Sequence, residues 1–456
     1  MFDNLLGQDA SAQLAADMAS GSLSPSMLFR GPDASGKGTA ALELARALSC
    51  EAGAAWNCPC PQCARHRILY HPDLLALGSR SFSPEIAAAA RIFSREYGDP
   101  TARLLFIRAV RKLLLRFDPL LWEDDREAKR TAPTVESLDA DLNEVLSVHE
   151  RGGAAAPGWA EKIGAAIVKN AWKLEADGLP AQIPVAQIRR ASWWCRIAPL
   201  GRRKALLIEN ADRMTDYAQN MLLKILEEPP DTAVIVLCSS RPSLLLPTIR
   251  SRLRPYPFHP REARIEREVI RRVFRSGSPA PAPEKAADSP AEDSPVTGSL
   301  ITAWLDGFLP VPQEKLYRLA CFFTASLASQ ALALLQSRYR ISGEGSLSAL
   351  AAYALPAARD AGLDPAADTA SLIQTLGAGS FEAPGLFTGF LSQVLGVISG
   401  SRRSEGSPDD AFAEIWSSLA GEAVQAAGVK IAVPLILDRM AAEFLRRVTE
   451  LYRRAI

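Results

Sequence analysis

The sequence predicts an α/β fold: a mostly parallel sheet covered by helices, interrupted by a helical insert and followed by an all-helical region. Three observations carry this expectation. "SMLFRG", Ser26 to Gly31, is a short apolar run that enters a glycine-rich loop, and "TAALELARALSC" behind it has helical spacing. From Ile183 the apolar runs "KALLIEN" and "AVIVLCSS" alternate with the helical pattern "AQNMLLKILEE", and strands that alternate with helices build a parallel, doubly covered sheet. From Ser299 onward the pattern is almost entirely helical.

At 456 residues the chain exceeds one ordinary core, which implies about two to four domains. Apolar residues make up 48% and charged residues 23%, and the formal net charge is +1. Such a balance gives no global field to recruit nucleic acid, so any DNA contact must come from a local patch or a partner. The N-terminus has no basic region followed by an apolar run, and no stretch approaches about 20 uninterrupted apolar residues. The expectation is therefore a cytoplasmic chain without membrane contact. The four histidines leave little room for a Ser/His/Asp or Cys/His catalytic set.

An α/β domain is expected over residues 1–259, with a helical insert at about 79–179. Within the insert "TARLLFIRAVRKLLLRF" mixes apolar residues with Arg103, Arg108, Arg111, Lys112 and Arg116. This basic stripe reads either as a solvated helix face or as a DNA or partner surface. Trp159 and Trp172 are expected to pack the insert's core. A second, small helical region spans 260–325 and contains "SGSPAPAPEKAADSPAEDSP", a flexible linker at about 276–298. A helical C-terminal domain follows over 326–456, with a softer break at "SGSRRSEGSPDD".

The loop "GPDASGKGTA" carries the chemistry of interest. Gly31, Ser35, Gly36 and Lys37 fit a phosphate-binding loop, in which backbone N–H groups and a helix N-terminus face an anion and the lysine reaches the outer phosphates. The usual Ser or Thr that holds Mg²⁺ is replaced by Gly38. Thr39 follows one residue late and projects about 100° further round the helix. On the facing strand the run "ALLIEN" ends in Glu209 and Asn210. Glu209 reads equally as a metal contact or as the polar tip of a core strand, and the Asn210 amide cannot act as a base. The alternative for the whole loop is an ordinary glycine turn capping a helix.

Four cysteines, Cys50, Cys58, Cys60 and Cys63, lie close together with gaps of seven, one and two residues. In a reducing compartment they read as a tetrahedral zinc set or as free thiols. Cys58-Pro59-Cys60 is a narrow bite for one ion, so His66 stands as a spare ligand.

The segment from Glu209 to Phe258 contains "ADRMT", "NMLLKILEEPP" and "LPTIRSR" in that order, and "HPDLLAL" lies upstream. Over about residues 1–77 and 183–258 the chain resembles bacterial clamp-loader subunits of the AAA+ class. The resemblance implies a RecA-like P-loop domain bearing a zinc hairpin at about 50–66, a helical lid and an α-helical collar domain. It implies a heteromeric complex with gamma/tau and delta subunits that loads the sliding clamp on primer–template DNA as part of the polymerase III holoenzyme. A motor subunit of this family carries G-K-[ST], Asp-Glu and S-R-C. Here stand G-K-G, Glu-Asn and "SRL", which is similar to the loader subunit whose own site for ATP or ADP is often degenerate. Arg252 then falls where the family places an arginine finger, acting on a neighbour's γ-phosphate, with Leu253 replacing the frequent Cys. The bland reading of Arg252 is a surface arginine flanked by Arg250 and Arg254. The competing functional reading is a gamma/tau-like ATPase with Thr39 rescuing the metal site, and a third is an unrelated nucleotide-binding scaffold.

Overall fold

Five parallel strands form the centre of the first unit of the chain; numbered along the sequence, they lie side by side as second, third, fourth, first and fifth. This computed structural model describes residues 1–78, 80–123, 126–150, 158–180, 182–274, 299–308, 313–339, 346–360, 384–405, 410–428 and 433–454. The linker expected at 276–298 lies outside them. In chain order the first unit contains α1 (Asp9–Ala19), β1 (Ser26–Arg30), α2 (Lys37–Ser49), α3 (Pro61–Arg67), β2 (Leu74–Leu77), α4 (Ser83–Arg95), α5 (Pro100–Leu114), α6 (Arg126–Glu150) and α7 (Trp159–Gly178). It continues with α8 (Val185–Arg196), β3 (Lys204–Ile208), α9 (Asp216–Glu227), β4 (Ala233–Ser239), α10 (Pro247–Arg250), β5 (Arg254–Pro257), α11 (Ala263–Val273) and α12 (Leu300–Asp306).

The strands are short, almost wholly buried apolar runs, because a parallel sheet is covered on both faces. Side chains alternate across it. Met27 and Phe29 join Leu207, Val236, α1 and α2 on one face. Leu28, Leu206, Ile208, Ile235 and Leu237 join α8 and α9 on the other.

The insert does not form a separate body. Phe82, Phe93, Phe106, Leu138, Ile167 and Leu174 belong to the same apolar cluster as Leu28 and Ile235. Phe93 and Phe106 stack 5.1 Å apart, and Trp159 meets Phe93 edge-on, in line with its expected packing role. Local signals start the helices: Asp99 caps α5 by accepting the Thr101 N–H at 2.9 Å, with Pro100 at the first helical position. Thr215 caps α9 by accepting the Ala218 N–H.

The second unit begins beyond Phe308. Its described residues form α13 (Gln313–Tyr339), α14 (Ser346–Asp360), α15 (Pro384–Glu405), α16 (Asp410–Gly428) and α17 (Val433–Arg454). Phe323, Phe387, Phe390, Trp416 and Phe444 fill its core. The boundary expected between 325 and 326 falls inside the continuous helix α13, so the chain divides before that helix. The first half of the break expected at 399–410 is helical, since α15 runs to Glu405.

One stretch of α13, Leu316–Arg338, is long and apolar enough to cross a membrane, against the expectation that none approaches that length. In its most apolar window, 67% is buried inside the fold, as in the central helix of a bundle.

Candidate functional site

The loop between β1 and α2 lies at the carboxyl end of the sheet, where parallel α/β folds place their ligands. Gly36 caps α2 in the left-handed region at φ +96°, a conformation that favours glycine. Ser35 donates to the Pro32 carbonyl at 2.7 Å. Lys37, 7% exposed, donates to the carbonyls of Gly31 at 2.6 Å and Pro32 at 2.5 Å. Burial lowers its pKa, opposed by the carboxylates of Asp33, Glu209 and Asp212. From the segment after β5, the strand paired with β1, Arg261 reaches over the loop, donating to Leu6 O at 2.8 Å and Ala34 O at 2.5 Å.

Glu209 lies against Gly38. A Cβ built on Gly38 would overlap Glu209 Oε1, so the hydroxyl-bearing residue usual at this position would have to displace the carboxylate from its arginines. The other carboxylate oxygen accepts from Arg116 and, at 3.2 Å, from Arg80. Arg80 also pairs with Glu85 at 3.1 Å, and Lys112 pairs with Glu85. Burial works against charge on Glu85, but Lys112 and Arg80 prevail and bring it down to about 2. Glu209 is likewise lowered, with Arg116 and Arg80 overcoming its desolvation. Mg²⁺ does not fit this corner: it lacks the hydroxyl, and Glu209 is already neutralised by guanidinium.

For Arg108, Arg111, Lys112 and Arg116 neither sequence reading of the basic stripe holds. Arg116 turns into the core to meet Glu209, and Lys112 meets Glu85. Arg108 donates to the His66 and Arg67 carbonyls, and Arg111 donates to the Ile68 carbonyl. Buried carboxylates and carbonyls on neighbouring elements draw the stripe inward. The i, i+4, i+8 spacing of Arg108, Lys112 and Arg116 was its only sequence signal, and nothing local identifies Arg80 or Glu85 as partners.

Asn210 adopts φ +49°, a backbone state that asparagine tolerates, and its carbonyl accepts the Arg213 N–H at 2.8 Å. Its identity therefore also suits the turn after β3. Sequence reasoning passed over Asp212, which accepts from Ser239 Oγ at 2.6 Å and from Arg241. That pairing ties the ends of β3 and β4 together.

Cys50, Cys58, Cys60 and Cys63 come together just beyond α2 and around α3, their sulfurs all within 4.8 Å of one another. Cys50 and Cys58 are 3.6 Å apart, Cys50 and Cys60 4.0 Å. Thiolates around tetrahedral zinc stand about 3.8 Å apart, so the cluster could hold a zinc ion. Both cysteines of the Cys-Pro-Cys bite take part. His66 does not; it bonds Ser49 Oγ at 2.9 Å and stacks on His71. Burial, then the charges of His71, Arg46 and Arg108, push His66 down to about 2.

Arg252 follows α10 at the surface, 35% exposed, holding Glu227 at 2.8 Å and the Thr248 carbonyl at 2.9 Å. Exposed pairs of this kind contribute about 0–1 kcal/mol, so Glu227 supports the guanidinium without locking it. Arg254 turns away to Asp17, and Leu253 is buried in the sheet core.

A parallel α/β unit with a glycine loop behind the interior strand β1 and an acid at the end of β3 defines the class. The family described as "DNA polymerase III, delta subunit" matches residues 7–103 and 143–262. A "DNA polymerase III subunit delta'" of Pseudomonas aeruginosa is 45% identical over 80 residues, which are 17% of this chain and 24% of that protein. The corresponding protein of Bacillus subtilis is 44% identical over 69 residues, 15% of this chain and 21% of its own length. A "DNA polymerase III subunit gamma/tau" of Mycobacterium tuberculosis is 36% identical over 72 residues, 16% and 12% of the two chains. The matches thus span about a quarter or less of these relatives. Over these segments the chain is similar to clamp-loader subunits of DNA polymerase III.

Two predictions follow from the site's geometry. Gly38→Ser restores the usual motif but overpacks Glu209, so urea unfolding should show a loss of about 1–3 kcal/mol and no gain in ATP turnover. His66 binds its proton far more weakly folded than unfolded, so its contribution is present above about pH 6.5 and is lost as pH falls towards 2. Stability relative to His66→Gln should therefore fall by about 2 kcal/mol between pH 7 and pH 5, measured by unfolding at both pH values.

Proposed function

We propose that this chain is a delta-prime-type subunit of a bacterial sliding-clamp loader, a non-motor AAA+ protein acting in the cytoplasm. The observation that carries this reading is the filled metal corner: Glu209 is neutralised by Arg116 and Arg80 and abuts Gly38. A site in that state supports no efficient Mg-ATP hydrolysis of its own. Arg252, exposed and loosely held, is then the group offered to the ATP of a neighbouring gamma/tau subunit. Its permanently charged, planar guanidinium stabilises charge on the transferring phosphoryl group.

In this role the α/β unit is a fixed wall of the loader ring, with α11 and α12 contributing to a lid and the second unit joining the collar. Partners are gamma/tau, delta, the sliding clamp and, through the complex, primer–template DNA. The four cysteines hold a structural zinc: four protein sulfurs leave no open coordination position for chemistry. The competing reading is a gamma/tau-like ATPase, which draws on the 36% identity to the mycobacterial gamma/tau protein. It would require Glu209 to release both arginines.

The purified chain with Mg-ATP should show no turnover; turnover abolished by Lys37→Ala would favour the gamma/tau reading. In a loader reconstituted with its own partners, Arg252→Ala should lower hydrolysis at the neighbouring site by about a thousandfold or more, and an unchanged rate sinks the trans-acting role. Metal analysis should find about one zinc per chain, lost in Cys60→Ser and Cys63→Ser. Equal metal content in the variants would end the zinc assignment.

A further inference from the structure

Arg46 lies one helical turn before Cys50 near the end of α2, and its side chain enters the base of the four-cysteine segment. It is buried, and all three guanidinium nitrogens have partners. Nε and Nη2 grip the buried carboxylate of Glu43 at 2.6–3.0 Å. Nη2 also donates to the Ala54 carbonyl at 3.0 Å, and Nη1 donates to Cys63 Sγ at 2.9 Å. One side chain thus joins α2, the loop between Cys50 and Cys58, and α3, which carries Cys63. The Ala52 N–H donates to Cys50 Sγ at 3.3 Å, but that donor is neutral. Among the described residues Arg46 is the charged side chain that hydrogen-bonds a sulfur of the set. The charge matters, because four thiolates around a divalent cation leave a net charge of about −2. Cys50, Cys58 and Cys63 are buried, and buried charge is stable only where it is opposed and hydrogen-bonded.

We infer that Arg46 is a positioning residue of this cluster: held flat by Glu43, it donates a charge-assisted hydrogen bond to the Cys63 thiolate and sets how tightly the four sulfurs retain a zinc ion. The inference rests on the zinc reading and extends it to a residue outside the four cysteines. A hydrogen bond from behind a metal ligand fixes the ligand's orientation, and its loss weakens metal retention by about ten- to a hundredfold. Here the bond keeps Cys63 turned toward the other three sulfurs, all within 4.8 Å of one another. Through Ala54, which adopts φ +55°, the same guanidinium holds the loop that spaces Cys50 from Cys58. Glu43 touches no sulfur in this arrangement; its fork fixes the plane of the guanidinium. A lysine would carry the charge without that fork.

Two measurements on the full chain test it. Loaded with zinc, the chain is mixed with excess chromogenic chelator and metal release is timed; loaded with cobalt(II), it is read by its thiolate-to-metal charge-transfer absorption. Arg46→Gln should release zinc about ten- to a hundredfold faster. Its cobalt band should move to longer wavelength, because a sulfur that loses a positively charged donor gives up electron density more readily. Arg46→Lys should lie between the two, since the ammonium keeps the charge but not the fork. If circular dichroism shows that Arg46→Gln is unfolded, Arg46→Lys carries the test. A folded Arg46→Gln that releases zinc at the original rate overturns the inference and leaves the zinc reading in place. So does a variant that is less stable but whose cobalt band has not moved, since that is the mark of packing alone. A chain that takes up neither metal overturns both.

Discussion

The ion pairing of Glu209 with Arg116 and Arg80 is the constraint on which the rest of the first unit turns. Glu209 sits at the tip of a fully buried strand, where an ionised carboxylate is stable only if it is compensated. In a phosphate-loop protein that hydrolyses Mg-ATP the compensation is a metal ion. Here it is protein, and the protein groups come from the insert. Breaking such a pair by removing one partner leaves a buried charge, at a cost of about 3–5 kcal/mol. The insert and the loop are thus coupled electrostatically as well as through their shared apolar core.

The coupling accounts for the departures from the motor pattern together. Gly38 lacks a side chain because Glu209 fills the space beside it. Asn210 serves a left-handed turn, where a second catalytic carboxylate is not called for. Lys37 folds back on its own loop. Each feature read alone looks like a lost function; read as one charge cluster they describe a site arranged without a metal. Arg252 lies outside that cluster, tethered by one exposed carboxylate, so its charge remains available at the surface.

The same insert braces the cysteine hairpin. Arg108 and Arg111 reach the carbonyls that close α3, while Arg46 of α2 donates to Cys63 Sγ at 2.9 Å. One basic helix therefore ties together the loop's acid and the four-cysteine segment. The hairpin is held from behind by arginines and by the His66–His71 stack, which frees all four cysteines to face one another.

By itself the sequence determined the strands, the glycine loop, the insert's helical character and the four-cysteine set, because each is written in local spacing: buried apolar runs, turn residues and short-range repeats. It also carried the motifs from Ala211 to Arg252 that mark the family. What only the tertiary structure decided is where long side chains end. Arg80 and Arg116 lie far along the chain from Glu209, so no periodicity records their pairing, and an inward-turned basic stripe has the same spacing as a solvated one. Likewise, the narrow Cys58–Cys60 bite looked strained in one dimension and closes without His66 once α3 folds back. The start of the second unit was misplaced for a related reason. α13 is buried on all sides from Leu319 to Ala328, so its middle gives no edge, and only its burial within its own bundle shows to which unit it belongs.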